Sequence, residues 1–461
     1  MMALREAATV VHGRLPAAVA PPRTIKRVTT DSRSVREGDL FVALKGERFD
    51  GHDFVEGALA AGAAGALVAG AAAARYAPDA PCIAVRDPRL ALGQLARGWR
   101  ARFTLPLIAV TGSNGKTTVT QMLASILREH AGPAAFHTDG NLNNDIGLPL
   151  TLLRLRPQHR IGVVELGMNH PGEIAYLSGI ARPHIALVNN AQREHQEFMR
   201  TVADVAIENA SVFDFLPHDG TAIVNADDAF AELFLDRAGA RMAMTFGMER
   251  AADVSGTMGE AAFGSHLQLR TPAGQAEVAL RIAGRHNAMN ALAAAAAALA
   301  AGIPLPVVAR GLAGFVPVAG RLAKTMLANG AVVLDDTYNA NPDSVRAAID
   351  VLHGIGGRRV LVLGRMAEVG EQGPAFHREV GAYARERGID LLLALGPEAA
   401  EAARAFGPGA ECAADIDSAT AAARAAALPG TTLLVKGSRS ARMERVVSAL
   451  TGRADPAGET H

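Results

Sequence analysis

Short apolar runs separated by helix-length segments dominate the hydrophobic pattern from about residue 105 onward. Runs at 107–110, 161–164, 185–188 and 222–224 have the character of buried strands, and each precedes polar or glycine-rich residues and a helical segment. The same alternation resumes at 331–334, 360–363, 391–395 and 432–435. Strands that alternate with helices in this way are typical of parallel βαβ units. The pattern therefore predicts two series of α/β units.

A short segment rich in proline and glycine, residues 315–321, separates the two series and is interpreted as a hinge. Residues up to about 102 form a smaller opening unit. A chain of 461 residues exceeds the size at which one hydrophobic core keeps growing. We therefore predict an α/β protein of three domains, at 1–104, 105–316 and 317–461.

Two uncharged, alanine-rich stretches raise the question of a membrane span. Residues 57–74 approach the necessary length, but their glycines divide them into a short helix and a strand-like run at 66–68. Residues 291–301 are predicted to form a packed helix that ends at Gly302 and Pro304. We expect no membrane insertion, and residues 1–22 show no pattern typical of a secretory signal.

Charge and cysteine content narrow the class of function. Lysine plus arginine and aspartate plus glutamate each total 46, so the formal net charge is zero. This balance disfavours a protein that coats nucleic acid, because such proteins carry excess positive charge. Cys82 and Cys412 give no disulfide framework and no zinc-ligand spacing, which favours a reducing compartment. The expected location is the cytoplasm.

The first chemical motif is a glycine-bearing loop between a predicted strand and a helix at 119–130. It reads Thr111-Gly112-Ser113-Asn114-Gly115-Lys116-Thr117-Thr118. Glycines let successive N–H groups turn towards phosphate oxygens, and the helix start adds its dipole. Lys116 would contact the β and γ phosphates, and the Thr117 hydroxyl would bind Mg²⁺. We predict an ATP site, although Gly112 and Gly115 are spaced one step off the general P-loop template.

Two further residues follow predicted strands. Glu165 follows the strand at 161–164, and His195 follows the strand at 185–188 and two asparagines. Ligands bind at the carboxyl edge of a parallel sheet, and Mg²⁺ held by one hydroxyl needs a carboxylate nearby. We expect Glu165 to be that carboxylate and consider His195 a second metal ligand. The alternatives are a strand-end carboxylate that faces water and an ordinary surface histidine.

The loop at 111–118 resembles the nucleotide loop of the Mur ligases, the amide-forming enzymes of peptidoglycan precursor synthesis. Other segments, over about residues 23–450, resemble further parts of that family. Residues 30–33, 38–44 and 49–54 resemble its UDP-sugar-binding domain, and residues 284–287 with Asn290 resemble its adenine-contacting segment. Gly320-Arg321 resembles the start of its mobile C-terminal domain. The resemblance implies a central P-loop ATPase domain with a parallel sheet. An N-terminal UDP-substrate-binding domain and a Rossmann-like C-terminal domain would flank it.

Within the family, the strings at 141–149, 165–174, 335–344 and 435–439 resemble the member that joins D-alanyl-D-alanine to a UDP-MurNAc-tripeptide. The resemblance implies roles for residues outside the loop: Asn287, Asn290 and Asp336 at the nucleotide, Arg321 at the γ-phosphate, Asp31, Ser32 and Arg33 at the UDP end, and Asn143, Asn339, Asn341 and Ser344 at the other substrates. Arg321 as a solvated linker charge and residues 31–33 as a simple polar turn are the alternatives.

This chain departs from the family pattern in three places. Asn209 stands where related ligases often carry a carbamylated lysine that supports a second Mg²⁺, so we expect no carbamate and leave that support open. In the loop at 193–199 only His195 and Glu197 match the commoner form. Arg365 replaces an aspartate expected before Met366.

The implied chemistry is activation of the tripeptide carboxylate by ATP as an acyl phosphate, followed by attack of the dipeptide amine. The expected partners are the two substrates, without nucleic acid, and the expected state is a monomer. A folylpolyglutamate ligase is an alternative, disfavoured by residues 30–33. An ATP-driven switch or transport protein is the alternative of another class. The third peptide residue, diaminopimelate or lysine, is not distinguished.

Overall fold

The computed structural model describes residues 1–19, 22–47, 49–194 and 196–453. Within these ranges the first group of elements comprises β1 Met2–Ala3, α1 Leu4–Val10, β2 Thr24–Ile25, β3 Arg27–Thr29, β4 Asp39–Val42, α2 Val55–Ala60, β5 Gly65–Ala69, β6 Cys82–Val85 and α3 Pro88–Arg100. Strands β3, β4, β5 and β6 form a parallel sheet in that order, and β1 pairs with β2 in antiparallel fashion. This group is the small opening unit predicted from the sequence.

The alanine-rich stretch at 57–74 lies inside this first group. Its start belongs to α2 and its centre is β5, which confirms the predicted short helix and strand. In the part of the chain that the structure describes, no helix has the length and hydropathy of a membrane span. Cys82 and Cys412 are both free thiols.

The second group is built on a long sheet. Its elements are β7 Leu107–Thr111, α4 Lys116–Ala131, β8 Ala135–His137, α5 Gly147–Leu152, β9 Ile161–Glu165, α6 Glu173–Ala181, β10 Ile185–Val188, α7 Val202–Ala210, β11 Thr221–Asn225, α8 Ala231–Ala238, β12 Met242–Gly247, β13 Val254–Ala261, β14 Gly264–Thr271, β15 Gly274–Leu280, α9 Arg285–Ala300 and α10 Leu305–Ala313. The strand order is β15-β14-β13-β12-β11-β10-β7-β9-β8. All four predicted strands of this series are confirmed.

Strand β7 lies inside this sheet, between β10 and β9, and pairs with both in parallel fashion. All its residues are buried because helices cover both faces of the sheet. Helix α9 packs on one face, and its alanine side chains from Ala291 to Ala298 are fully buried. Small side chains allow close approach to the strands, so the prediction of a packed alanine helix is confirmed.

One edge of this sheet was not expected from the sequence. Strands β13, β14 and β15 pair in antiparallel fashion. Buried and exposed residues alternate along β14, because one face of this ribbon packs on the core and the other meets solvent. A search for continuous apolar runs misses such strands.

The third group forms a separate α/β layer. Its elements are β16 Ala323–Met326, β17 Val332–Asp336, α11 Pro342–His353, β18 Arg358–Leu363, α12 Gly373–Glu386, β19 Leu391–Leu395, α13 Gly396–Phe406, β20 Ala410–Ala413, α14 Ile416–Ala426, β21 Thr431–Lys436 and α15 Glu444–Thr451. The strand order is β16-β17-β21-β18-β19-β20, and only the pairing of edge strand β16 is antiparallel. The predicted strands of the second series are all confirmed.

Gly381 of α12 allows this helix to lie directly against α13. A Cβ atom at Gly381 would overlap the backbone carbonyl of Ala402. We expect Gly381→Ala to lower the free energy of unfolding by about 1–3 kcal/mol, as overpacking of a tight contact does. The measurement is denaturant unfolding of the full chain.

Gly57, inside α2, is the matched control, since a Cβ atom there meets nothing within 4 Å. Gly57→Ala should be neutral or stabilising by up to about 1 kcal/mol, because alanine is the better helix former. Equal stability of the two variants would contradict the packing argument.

Candidate active site

The loop at 111–118, called the phosphate loop below, joins β7 to α4 and lies at the carboxyl edge of the nine-stranded sheet. Gly112 has φ +129°, and a Cβ atom there would lie 3.0 Å from the backbone nitrogens of Asn189 and Asn190, just beyond β10. Ser113 N–H donates to the carbonyl of Asn190 at 3.0 Å. The loop is therefore pressed against the end of the neighbouring strand, and a side chain at residue 112 would separate the two.

A chain of neutral amides fixes the other side of the loop. The Asn189 side chain donates to the Asn114 carbonyl at 2.7 Å and to Asn290 Oδ1 at 2.8 Å, and Asn290 donates to Asn287 Oδ1 at 3.2 Å. Gly115, with φ +81°, caps the start of α4, and a Cβ atom there would overlap Asn290 Oδ1. Asn290 thus reaches the phosphate loop itself, and Asn287 is linked to the loop through Asn290. The contact of these two asparagines with a base remains a prediction.

Lys116, the first residue of α4, folds back over the loop. Its Nζ donates to the carbonyls of Gly112 at 2.6 Å and Ser113 at 3.0 Å, and to Glu194 Oε1 at 2.8 Å. Little of either charged side chain is exposed, 13% for Lys116 and 8% for Glu194. The ammonium group uses all three of its donors in these contacts. A phosphate oxygen would have to take the place of one of these acceptors.

A buried carboxylate lies beside the second residue of α4. Glu165, the last residue of β9, accepts hydrogen bonds on Oε1 from Thr117 at 3.0 Å and from Asn143 at 2.7 Å. Its Oε2 is buried and has no hydrogen-bond partner among the residues that the structure describes. A hydroxyl and a carboxylate oxygen without a partner are hard ligands of the kind Mg²⁺ prefers. These residues fit the predicted metal, and Asn143 holds the carboxylate in place.

The structure describes fewer of the residues that are predicted to support a second metal ion. His195, the predicted second ligand, lies outside the described residues. Among the residues that the structure does describe, no group of three His, Cys, Asp or Glu side chains has an arrangement suited to a metal ion. Asn209, at the position of the carbamylated lysine, is fully buried and accepts a hydrogen bond from the Thr111 hydroxyl at 2.7 Å. This position carries a neutral anchor for the start of the loop.

The third group of elements faces this loop across a cleft. The Arg321 guanidinium stacks on the Tyr338 ring, 4.2 Å from its centroid, and this cation–π contact holds it in position. Lys436, the last residue of β21, donates to Asp336 Oδ2 at 2.6 Å and to the Asn339 carbonyl at 2.9 Å. Asp336 and Arg321 both line the cleft.

Asn341 and Ser344 are engaged in local structure. They form a capping box at the start of α11, in which each side chain bonds the backbone N–H of the other. Asn341 also donates to Asn114 Oδ1 of the phosphate loop at 2.9 Å. Dipeptide recognition by these side chains stays a prediction, since their amide and hydroxyl groups already have partners.

His286 lies in the segment that is predicted to contact adenine, and burial changes the pKa of its ring. Desolvation lowers the pKa of His286 to about 4, so the ring is neutral near pH 7. Its Nε2 lies 3.0 Å from the Asn287 side-chain nitrogen. A neutral ring nitrogen accepts this hydrogen bond, which helps to fix Asn287 at the cleft.

The cleft has a volume of about 2040 Å³ and is lined by residues of all three groups of elements. Members of the lining include Arg89, the loop from Ser113 to Thr118, Asn287 and Arg321. Asp31, Ser32 and Arg33 lie outside it: Asp31 caps a short 3₁₀ helix, and Arg33 bonds Asp31 at 2.9 Å on an exposed surface. The structure does not bring these three residues to the phosphate loop.

Several residues of the site escape sequence analysis. Asn189, Gln192 and Glu194 contact the phosphate loop, and Lys436 orders Asp336. Their position after β10 or at the end of β21 is the signal that would have found them, because each follows the carboxyl end of a parallel strand in its own sheet, where ligands bind.

Comparison with known proteins identifies the family. The profile described as Mur ligase middle domain matches residues 110–298, that of the Mur ligase glutamate ligase domain 320–439, and that of the Mur ligase family catalytic domain 24–100. The UDP-N-acetylmuramoyl-tripeptide–D-alanyl-D-alanine ligase of Escherichia coli K12 is 42% identical over 433 residues, 93% of this chain and 94% of that protein. The ligase of the same name from Bacillus subtilis is 34% identical and covers 85% of each chain.

Solved structures agree. A crystal structure of MurF from Acinetobacter baumannii matches with a TM-score of 0.90 at 36% identity, over 98% of this chain and 99% of that chain. MurF of Thermotoga maritima, in complex with ADP, matches with a TM-score of 0.81 at 27% identity, over 93% and 97%. The agreement extends over the phosphate loop, the facing C-terminal elements and the opening unit alike. This chain belongs to the Mur ligase family.

Proposed function

We propose that this protein is an ATP-dependent ligase that joins D-alanyl-D-alanine to the peptide carboxylate of a UDP-MurNAc-tripeptide. The observation that carries the proposal is the arrangement of Lys116, Thr117 and Glu165 at one side of a cleft whose other side presents Arg321. The relatives that match over most of this chain carry that activity in their names. A cleft of this size has room for a nucleotide and a second large substrate.

Activation of the carboxylate would proceed at the phosphate loop. Joining an acid to an amine in water is uphill, so the carboxylate first attacks the γ-phosphoryl group of ATP, which breaks the bond to the β,γ-bridging oxygen, releases ADP and gives an acyl phosphate. The amine of the dipeptide then displaces phosphate. Both reactants of the first step are anions, so positioning and charge neutralisation supply most of the rate enhancement. Lys116 and Arg321 are the cations placed for this task.

The nucleotide would be held along the loop from Thr111 to Thr118 by backbone N–H groups at the start of α4. Asn287 and Asn290 would line the base site, and Asp336 would receive the ribose hydroxyls, oriented by its ion pair with Lys436. We further propose domain boundaries near residues 104 and 316, a monomer, since one chain builds the whole cleft, and a location in the cytoplasm.

Thr117 and Glu165 would hold Mg²⁺, which supplies charge neutralisation at the phosphates when bound. The buried Glu165 Oε2 supports this assignment, because a buried polar oxygen that has no partner among the described residues is costly in a protein interior unless a ligand such as a cation binds it. Asn143 would then act as a positioning residue for Glu165, and His195 remains the proposed second ligand.

At the second substrate, Asp31, Ser32 and Arg33 would contact the UDP end, away from the phosphate loop. Arg33 holds the pKa of Asp31 below its usual range, so this aspartate stays ionised near neutral pH. Asn339, Asn341 and Ser344 are the proposed dipeptide contacts.

The direct test is the mass of the product. Incubation of the purified protein with ATP, Mg²⁺, UDP-MurNAc-tripeptide and D-alanyl-D-alanine should yield a UDP-MurNAc-pentapeptide and one phosphate per product. Sustained phosphate release should require both substrates. Rapid hydrolysis with ATP alone, with no covalent product, would instead support an ATP-driven switch.

Lys116→Ala should reduce the rate of ligation by about 100-fold or more, since removal of one preorganised cation from a phosphoryl-transfer site has effects of this size. Circular dichroism should show that the variant remains folded. Lys26→Ala is the matched control, because Lys26 is exposed and pairs with the exposed Glu37. Undiminished turnover in Lys116→Ala would exclude the proposed site.

Glu165→Gln should weaken the binding of a divalent ion by about tenfold or more, because the amide keeps the shape of the side chain but removes its charge. Electron paramagnetic resonance of Mn²⁺ in the presence of ATP measures this affinity without turnover. Glu129→Gln, a change of the same kind at a surface ion pair with Arg310, should leave it unchanged. Equal Mn²⁺ affinity in the two variants would refute the metal assignment.

A further inference from the structure

Arg193 lies in the loop after β10 and reaches across the cleft to the third group of elements. Its guanidinium binds Asp343 of α11, with Nη2 to Oδ1 at 2.5 Å and Nε to Oδ1 at 3.1 Å, and Glu379 of α12, at 2.7 and 3.0 Å. It also lies 5.3 Å from the ring centroid of Phe376. One side chain of the central unit thus makes three contacts with the C-terminal unit.

Backbone N–H groups of the same loop also contact the C-terminal unit. Arg193 N–H donates to Asp343 Oδ2 at 3.0 Å, and Glu197 N–H donates to the carbonyl of Glu368 at 3.2 Å. Next to Arg193, Glu194 is the partner of Lys116. The side chain of Arg193 therefore contacts the C-terminal unit, and the side chain of the next residue, Glu194, contacts the phosphate-loop lysine.

The charge and burial of these groups favour a strong contact. The side chains of Arg193, Asp343 and Glu379 are each less than one third exposed. Hydrogen bonds from Arg193 hold the pKa of Glu379 below its usual range. The carboxylate therefore stays ionised through neutral pH, and its contribution is lost only as the pH falls through this lowered value. A forked guanidinium shared by two carboxylates also fixes orientation.

We propose that Arg193 is a positioning residue that docks the C-terminal unit over the phosphate loop and couples this docking to occupancy of Lys116. A phosphate that binds Lys116 competes with Glu194, and any shift of Glu194 moves the backbone of Arg193 against Asp343. The contact thereby sets Arg321, on the C-terminal side, relative to the γ-phosphate. The inference rests on the proposed ligase function and adds a residue to it.

The variant Arg193→Ala removes the side-chain docking contacts, keeps the backbone ones and leaves the phosphate loop intact. We expect kcat to fall about tenfold or more, since the loss of one partner of a close charge pair across an interface has effects of at least this size. The loss should therefore persist at saturating dipeptide, which distinguishes it from a change in KM alone. The calorimetric affinity for ATP should change as well, because the coupling between docking and occupancy of Lys116 acts in both directions. An unchanged affinity would contradict the coupling.

Arg193→Lys keeps the charge but loses the fork, and should recover only part of the rate. Arg346→Ala is the matched control. Arg346 also binds Glu379, at 3.0 Å, but from within the C-terminal unit, so its loss should leave kcat unchanged. Asp343→Asn combined with Arg193→Ala should be no slower than Arg193→Ala alone, because both changes break the same contact.

Small-angle X-ray scattering gives a readout that does not depend on turnover. Arg193→Ala should have a larger radius of gyration than the natural protein and Arg346→Ala, if the contact holds the units together. A lower melting temperature with unchanged kcat and unchanged radius of gyration would show a merely structural role and overturn the inference. Absence of product from the natural protein would refute the ligase function itself, so the two failures are distinguishable.

Discussion

The grip on a triphosphate is the constraint on which the rest of this structure depends. In the proposed function, the backbone N–H groups of the loop must be in place before the phosphates arrive, since ordering them during binding would cost free energy. The structure fixes them through close backbone approach: Gly112 against the end of β10, and Gly115 against Asn290. Both glycines occupy conformations that L side chains rarely adopt, so the loop cannot be rebuilt with larger residues.

Neutral amides do much of this positioning, and charges are kept for the reaction. Asn189, Asn290 and Asn287 link the loop to α9 without adding net charge, and Asn209 does the same for Thr111. Amides can donate and accept at once, so they form chains without leaving buried ionised groups uncompensated. In the proposed function, two charged side chains at the loop, Lys116 and Glu165, would act on phosphate and metal.

The regular strands and the phosphate loop are predictable from sequence because their signals are local. A buried parallel strand is a continuous apolar run, and residues at its carboxyl end, such as Glu165, must share an edge with their neighbours. The ribbon β13 to β15 escapes this criterion, since its residues alternate between core and solvent. Pairs such as Lys116 with Glu194 or Arg193 with Asp343 join distant parts of the chain, so spacing does not reveal them. Asn341, which is predicted to recognise substrate, also caps a helix and bonds Asn114, and the resemblance that suggested its role does not reveal these contacts.

The polar nature of the contacts beside the phosphate loop follows from the chemistry. An acyl phosphate must be shielded from water, yet substrates must enter and product must leave in each cycle. Burial of a large apolar surface would hold the units closed, whereas the strength of an ion pair is offset by the desolvation of its charges. The Asn114–Asn341 amides and the Arg193–Asp343 pair therefore suit an interface that, in the proposed function, aligns Arg321 and then releases it. Asn341 and Asp343 lie at the start of α11, the helix that follows β17 and its last residue Asp336, so the same interface would also be connected to the proposed ribose site.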